Sequence, residues 1–253
     1  MYPEERQTAI VTKARAEGRV EVTTLAEILD VTPETVRRDL TTLERQGILR
    51  RVHGGAIPVE RLGFEPAVAV RESVHTAEKE RIAKAALAEL PADGVIALDA
   101  GTTTLRLAEL LPVDRELTVV TNGLPQAMLL AARPNVTVHI VGGRVRARTL
   151  ATVDEAAQAF LRDLFVDVAF VGTNGISVAR GLTTPDRSEA AVKRALIAAA
   201  RRVVVLADHT KFGTDHFAAF GTLADVDTVV TDSDLDAGLA AELEAAGTRV
   251  VRA

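Results

Sequence analysis

Apolar residues near the start of the chain recur with the period of a helix. Val36, Leu40 and Leu43 lie at i, i+4 and i+7 and form one apolar stripe, with polar residues on the other faces. Thr32 is a good N-cap, and Pro33 suits the first helical position because its missing N–H costs nothing there. The pattern therefore predicts a helix that begins at Pro33.

Two further helices are predicted before it. A helix over residues 3–17 places Ile10 and Ala14 on its core edge and ends at Gly18. A short helix capped by Thr24 turns three apolar side chains inward, and a tight connection leads to the next helix. Those inward side chains belong to Leu25, Ile28 and Leu29.

A hairpin is predicted after the third helix. Gly47 is placed to end that helix, and residues 48–56 form two short runs with glycines in the turn between them. Helices followed by such a hairpin make a winged helix-turn-helix, in which the third helix takes the recognition position.

From residue 93 onward the pattern changes to short apolar runs separated by helical segments. The runs are mostly β-branched, which is typical of parallel strands buried on both faces. The alternation predicts an open α/β sheet. The predicted strands cover 95–98, 117–120, 136–141, 166–171, 202–207 and 226–230, and the helices between them include 104–111, 125–132, 155–164 and 188–200.

A break in periodicity separates the two patterns. Residues 57–75 contain Gly63 and Pro66 but no clear repeat, and the next helix is predicted from about Thr76 to Leu90. We therefore predict three segments, which are a winged helix-turn-helix domain over 1–58, a linker over 59–75 and an α/β domain over 76–253.

Composition excludes several classes of protein. The 253 residues include no cysteine, so neither disulfides nor thiolate chemistry are available. No apolar run approaches the roughly 18–20 residues that span a bilayer, and the first residues do not resemble a signal peptide. A cytoplasmic protein without membrane association is expected. The net charge of −5 indicates little beyond solubility.

The outward face of the third helix carries residue types that contact DNA. Arginine can bind guanine through two hydrogen bonds or bind phosphate. Residues 1–60 hold 9 basic and 10 acidic residues and so have no net positive charge, but arginines gather on the third helix and the hairpin. An ordinary solvated face or a structural helical cap is the alternative. The predicted DNA contacts are Thr35, Arg37, Arg38, Thr41, Arg45, Arg50, Arg51 and His53.

Small and polar residues follow nearly every predicted strand of the α/β domain. In open α/β sheets, ligands bind outside the carboxyl ends of the strands. Residues 101–104 lie between a strand and a helix, where backbone N–H groups, hydroxyls and the positive helix end favour an anion such as phosphate. A plain threonine-capped turn is the alternative. The predicted ligand contacts are Asp99, Gly101, Thr102, Thr103, Thr104, Asn122, Gly143, Asn174, Asp208 and Lys211.

Several motifs in this order resemble those of DeoR-type bacterial transcriptional repressors over essentially the whole chain. They lie at residues 31–40, 51–56, 98–104, 121–123 and 208–213. The resemblance implies repression of a sugar-catabolism operon, a phosphorylated sugar as effector, and a C-terminal domain folded like ribose-5-phosphate isomerase. Residues 172–177 and 181–186 further resemble fructose-operon repressors of high-GC Gram-positive bacteria.

An enzyme is the alternative that the isomerase-like domain raises. Isomerases of that fold have an Asp-Gly-Ala-Asp-Glu run where this chain has residues 171–175, which contain no acid. Asn174 can hydrogen-bond a hydroxyl but cannot abstract a proton. We therefore expect a sugar phosphate to be bound without turnover, no cofactor, and operator DNA bound by a homodimer or homotetramer. The histidines show no metal-ligand spacing beyond the loose pair His209 and His216.

Overall fold

A computed structural model describes residues 2–17, 19–58 and 65–253. The chain divides into two compact units, Met1–Val74 and His75–Ala253. The first unit contains helices and a small antiparallel sheet of order β1-β3-β2. Its elements are α1 (Pro3–Glu17), β1 (Val20–Glu21), α2 (Val22–Ile28), α3 (Pro33–Arg45), β2 (Leu49–Val52), β3 (Gly55–Pro58) and α4 (Val68–Ser73).

The sheet of the first unit is the predicted wing. Gly54 has φ +78° in the turn between β2 and β3, a conformation that glycine adopts without strain. A Cβ on Gly55 would lie 1.9 Å from the Val20 carbonyl oxygen, so only glycine lets β1 approach β3 this closely. Gly47, with φ +73°, follows the end of α3 as predicted. Helices, recognition helix and hairpin together confirm the winged helix-turn-helix.

The short helix α2 differs from its prediction. It begins at Val22 with Glu21 as an extended N-cap residue that makes no side-chain hydrogen bond, so Thr24 lies inside the helix and does not cap it. Ile28 is 57% exposed instead of facing the core. Because α2 begins before Thr24, its buried stripe runs at i, i+3, i+4 and i+7 from Val22 and leaves Ile28 outside it. That stripe consists of Val22, Leu25, Ala26 and Leu29.

Parts of the predicted boundaries fall outside the described residues. Gly18, the expected end of α1, is one of them, and so are residues 59–64 of the predicted linker. Within the remainder of that linker, α4 forms over Val68–Ser73.

The second unit contains a larger sheet with helices on both faces. Short 3-10 helices lie at Leu87–Glu89, His209–Lys211 and Leu223–Asp225. Its helices are α5 (Thr76–Ala86), α6 (Thr102–Leu110), α7 (Leu124–Ala131), α8 (Glu155–Arg162), α9 (Arg187–Ala198) and α10 (Ala237–Ala245), and its strands are β4 (Gly94–Leu98), β5 (Leu117–Thr121), β6 (Val136–Ile140), β7 (Arg144–Arg146), β8 (Ala151–Val153), β9 (Val166–Gly172), β10 (Gly175–Ser177), β11 (Gly181–Thr184), β12 (Ala200–Leu206), β13 (Ala218–Gly221), β14 (Thr228–Thr231) and β15 (Arg249–Arg252).

The large sheet has the order β15-β14-β12-β9-β4-β5-β6, and all its strand pairs are parallel. Six of these strands are the predicted ones. Two smaller antiparallel sheets, β10-β11-β13 and β7-β8, accompany it. Two core clusters lie on opposite faces of the large sheet, because successive residues of a strand alternate between them. Val204 and Leu206 of β12 belong to one cluster, and Val203 and Val205 to the other. The predicted open α/β fold is confirmed.

The order of the strands places a topological switch point between β4 and β9. From β4 the chain moves outward through β5 to β6 and then returns to β9 on the other side of β4. The loops that follow β4 and β9 therefore leave in opposite directions, and such a switch point is where open α/β sheets bind ligands. No helix of the described ranges is both long and apolar enough to cross a membrane.

Candidate functional site

The recognition helix α3 begins as its sequence predicts. The backbone N–H of Thr35 donates to the Thr32 hydroxyl at 3.2 Å, and Pro33 follows that cap. Arg38 and Arg45 are exposed, whereas the apolar stripe opposite them is buried. The helix thus presents arginine to solvent on a firmly anchored surface.

A buried ion pair fixes α3 to α1. Asp39 is 4% exposed and accepts hydrogen bonds from the Arg6 guanidinium, one of them at 3.2 Å. The Gln7 side-chain amide donates to the same carboxylate at 3.2 Å. The hydrogen bond to Asp39 raises the pKa of Arg6 above its ordinary value, an effect that burial opposes. Arg6 is therefore a permanent buried charge that depends on Asp39.

The wing lies beside the recognition helix. The Arg51 backbone N–H donates to the Glu44 carboxylate at 2.9 Å, and its guanidinium donates to the Thr41 hydroxyl at 3.2 Å. Arg37 forms an exposed ion pair with Glu34 at 3.3 Å. The Thr35 hydroxyl lies 2.9 Å from the Thr32 hydroxyl, so four predicted DNA contacts already have partners on the protein. Thr35 is half-buried, and the remaining predicted contacts, Arg38, Arg45, Arg50 and His53, are exposed.

The switch point of the second unit contains a buried ion pair between Asp99 and Lys193. Asp99 follows β4 and is 1% exposed, and its Oδ2 accepts hydrogen bonds from Lys193 Nζ and from the Gly172 backbone N–H, the latter at 3.0 Å. Lys193 Nζ also donates to the Gly172 carbonyl at 2.8 Å and lies 5.3 Å from the Phe220 ring centroid. Sequence analysis missed Lys193, because a lysine inside a helix is usually solvated and its partner is 94 residues away.

The amino end of α6 borders this pair. Gly101 occupies the N-cap position, and no side chain caps the helix. Thr102 and Thr103, on the first turn, are 7% and 9% exposed, and within the described parts of the chain their hydroxyls have no hydrogen-bond partner. Thr104 is different, because its hydroxyl donates to the carbonyls of Asp99 and Gly101. The first turn of α6 therefore offers free N–H groups and two free hydroxyls.

A buried glutamine supports the loop in front of α6. The Gln126 amide nitrogen donates to the Gly101 carbonyl at 2.9 Å, while its Oε1 is buried without a partner among the described residues. A Cβ on Gly123 would lie 2.1 Å from that oxygen, so a larger residue there would displace the Gln126 amide. Asn122 Oδ1 accepts the Ala100 backbone N–H at 2.9 Å and ties the ends of β4 and β5 together.

The remaining predicted ligand contacts lie around the same edge of the sheet. Asn174 Oδ1 accepts a hydrogen bond from the Thr184 hydroxyl at 3.0 Å. Gly143 is exposed with φ +129°, and a Cβ there would lie 2.4 Å from the Val153 carbonyl oxygen. Both residues therefore help to shape the loops.

A second polar cluster follows β12. Asp208 is 1% exposed, accepts hydrogen bonds from Thr210, and lies 3.7 Å from Lys211 Nζ. Burial raises the pKa of Asp208, but the charge of Lys211 and the hydrogen bond from Thr210 outweigh it, so that pKa lies below its ordinary value. Asp208 is therefore an ionised carboxylate at the carboxyl edge of the sheet.

His75, the N-cap residue of α5, contacts His209 beside this cluster. Their rings meet edge to face with centroids 5.4 Å apart. Burial lowers the pKa of His75, an effect that the nearby Asp208 carboxylate only partly offsets. His209 Nδ1 lies 2.9 Å from Asp232 Oδ1, and ligand atoms of His209, Asp232 and Asp234 lie within 4.8 Å of one another. This cluster of possible metal ligands does not include His216, which forms a loose pair with His209 in the sequence. The hydrogen bond between His209 and Asp232 joins the loops that follow β12 and β14.

A pH dependence follows from His75. Its pKa in the folded protein is lower than in the unfolded chain, so stability is fully present above about pH 6.5 and decreases as the pH falls through the folded pKa. The thermal midpoint is expected to fall between pH 7.5 and 5.5, and to fall less steeply in His75→Asn, which lacks the titrating imidazole. Asparagine is chosen because it tolerates the left-handed φ of +54° found there. Calorimetry of both proteins across this range measures the effect, and identical slopes would contradict it.

Comparison with known proteins places the whole chain. The DeoR C terminal sensor domain matches residues 74–233, and the DeoR-like helix-turn-helix domain matches residues 6–61. The HTH-type transcriptional regulator GlpR of Haloferax volcanii is 38% identical, with 99% of this chain and 98% of the relative covered. The glycerol-3-phosphate regulon repressor of Escherichia coli K12 is 32% identical, with 92% of each covered.

Two further proteins are similar. The uncharacterized HTH-type transcriptional regulator FruR of Bacillus subtilis is 35% identical, with 92% of this chain and 93% of the relative covered. Among solved structures, ribose 5 phosphate isomerase A from Neisseria gonorrhoeae is 16% identical with a TM-score of 0.40, covering 54% of this chain and 53% of that one. The domain matches, together with relatives similar over nearly their full length, confirm the predicted family. The chain belongs to the DeoR family of transcriptional regulators.

Proposed function

We propose that this regulator represses a sugar-catabolism operon and that a phosphorylated sugar bound in the second unit modulates its binding to operator DNA. The observation that carries the proposal is the uncapped amino end of α6, with two free hydroxyls, beside a buried ion pair at the switch point of the sheet. A relative named for a glycerol-3-phosphate regulon is consistent with a small phosphorylated compound as the effector class. Fructose phosphate is one member that we propose.

Operator DNA is proposed to bind the exposed face of α3 and the wing. In this fold the recognition helix enters the major groove while the hairpin contacts the backbone. The proposed base-reading residue is Arg38, which is exposed and makes no ion pair within the described part of the unit. The proposed supporting contacts are Thr35, Arg37, Thr41, Arg45, Arg50, Arg51 and His53.

Arg38→Ala is expected to weaken operator binding by roughly 1–3 kcal/mol and to relax base preference at one position. Arg50→Ala on the wing is the matched comparison, because a phosphate contact lowers the salt dependence of binding with little change in base preference. Titration of both variants against DNA selected from a random library, at two salt concentrations, separates the roles. Parent-like affinity of Arg38→Ala would exclude α3 as the reading helix.

The effector's phosphate is proposed to lie at the first turn of α6. Backbone N–H groups of this turn and the hydroxyls of Thr102 and Thr103 would bind it, and Asp99 would accept a sugar hydroxyl. Thr104 was predicted to bind the effector as well, but we propose that it supports the loop, because its hydroxyl donates to the carbonyls of Asp99 and Gly101. The proposed closing residues are Gly101, Asn122, Gly143, Asn174, Asp208 and Lys211.

A sugar-phosphate isomerase is the competing function, and we propose that the protein is not one. Aldose–ketose isomerisation needs a carboxylate free to act as a base beside the substrate. Residues 171–175 contain no carboxylate, and Glu189 is held by Arg146 at 3.1 Å. Incubation of the protein with ribose and fructose phosphates tests this, because sustained turnover would contradict a purely regulatory role.

The protein is proposed to be cytoplasmic and to act as a dimer or tetramer. A winged helix reads only a short half-site, so specific affinity needs two such domains on a repeated operator. Sedimentation at micromolar concentration is expected to show a dimer or tetramer that binds operator cooperatively. A monomer binding one-to-one would contradict the assembly.

The segment between the two units is proposed to transmit the effector signal. A ligand changes DNA affinity only if it binds two arrangements of the DNA-binding domains with different affinity. We propose the domain limits 1–58 and 76–253, with 59–75 as the connecting segment.

A further inference from the structure

We infer that Lys193 and Asp99 together bind a hydroxyl or carbonyl oxygen of the effector and thereby set its specificity for hydroxylated phosphates over phosphate alone. The inference rests on the proposed function and extends it to a residue that sequence analysis did not find. It divides the site into two halves, with phosphate at the α6 turn and the carbohydrate end at the ion pair.

The pair holds unused hydrogen-bonding capacity in a buried place. Asp99 Oδ2 accepts two hydrogen bonds, but Oδ1 has no donor among the residues that the structure describes. Asp99 is only 1% exposed, so little water can solvate that oxygen. Because a buried carboxylate oxygen without a donor is costly, a ligand that donates to Oδ1 gains more there than in water.

Lys193 supplies the complementary group. Its ammonium has three N–H donors, of which one binds Asp99 and one binds the Gly172 carbonyl. The described residues provide no acceptor for the third. A hydroxyl both donates and accepts, so one hydroxyl can bind Asp99 Oδ1 and the third ammonium N–H together. A carbonyl oxygen satisfies the lysine alone.

The surroundings hold the lysine in place. Its side chain is 6% exposed, the Phe220 ring lies 5.3 Å from the ammonium, and the Gly172 carbonyl fixes its direction. A flexible cation that merely neutralises phosphate would not need this arrangement. Because the ammonium is held in one position, it suits recognition of one particular ligand oxygen.

The location agrees with a divided site. Asp99 lies two residues before Gly101, the N-cap of α6, whose first turn is proposed to bind phosphate. A ligand with phosphate at one end and hydroxyls on neighbouring carbons suits two halves that lie two residues apart in the chain. The chemical class is therefore a small phosphorylated polyol, ketose or aldose.

The experiment compares Asp99→Asn/Lys193→Met with the parent. Lys193→Met alone leaves an unpaired buried carboxylate and is expected to lower Tm by about 6–20 °C, whereas the double variant removes both charges and is expected to recover most of that loss. Thermal shift and operator titration are run with inorganic phosphate, glycerol 3-phosphate, fructose 1-phosphate and fructose 6-phosphate. Should the double variant not fold, Asp99→Asn, which keeps the lysine's bond to Gly172, takes its place.

The expected result is a loss confined to the hydroxylated probes. The most effective sugar phosphate for the parent should need a concentration about 10- to 100-fold higher in the double variant, approaching that of inorganic phosphate. An unchanged preference for the sugar phosphate over inorganic phosphate would overturn the inference, and so would an equal loss for inorganic phosphate. A parent protein that responds to no probe would overturn the proposed effector function, and this inference with it.

Discussion

Asp39→Ala is expected to unfold much of the DNA-binding unit and to abolish operator binding. The substitution leaves the Arg6 guanidinium buried without its carboxylate, and removal of one partner from a buried pair costs about 3–5 kcal/mol. Arginine cannot escape by losing its proton, because its ordinary pKa lies far above neutral pH. A small domain has only a marginal free energy of unfolding, so this loss is a large part of it.

Two matched variants separate the buried charge from other effects. Glu34→Ala removes an exposed carboxylate of the same helix, whose pair with Arg37 should contribute little to stability. Arg6→Met/Asp39→Leu removes both buried charges and is expected to restore most of the stability. Circular dichroism melts of the full chain measure all of them. Equal stability of Asp39→Ala and Glu34→Ala would show that the buried pair does not hold α1 against α3.

Thr103→Glu is expected to abolish the response to sugar phosphate while operator binding remains. A carboxylate on the first turn of α6 interacts favourably with the positive end of the helix, so its charge should not destabilise the fold. The same carboxylate repels a phosphate that binds at this turn. Thr103→Gln has nearly the same size without the charge and is the control. It is expected to retain part of the response, and equal responses of the two variants would exclude charge repulsion as the cause.

The large sheet could be predicted because the residue types within each central strand reflect the burial of that strand. β9 and β12 are buried on both faces, so nearly every residue along their inner portions is apolar and often β-branched. β15 was missed, since it is an edge strand that begins and ends with exposed arginines. The small antiparallel sheets were missed because their strands have three or four residues and include glycine and threonine.

The candidate site could be predicted where its residues directly follow a strand in the sequence. Residues 99–104 follow a strand and start a helix, and that local pattern is the basis for predicting an anion-binding turn there. Lys193 depends on an ion pair with a residue far away in the chain, for which no spacing gives a signal. Thr104 was predicted to contact the effector, but the local pattern does not indicate that its hydroxyl donates to the carbonyls of Asp99 and Gly101 in the folded loop.

The central claim is that a phosphorylated sugar at the α6 turn changes the affinity of this protein for its operator. Operator affinity of the parent and of Thr103→Glu, each measured with and without the sugar phosphate that most stabilises the parent, tests it most directly. The account predicts a change in affinity for the parent and none for the variant, with equal affinities in the absence of sugar phosphate. A response of Thr103→Glu equal to that of the parent would contradict the account.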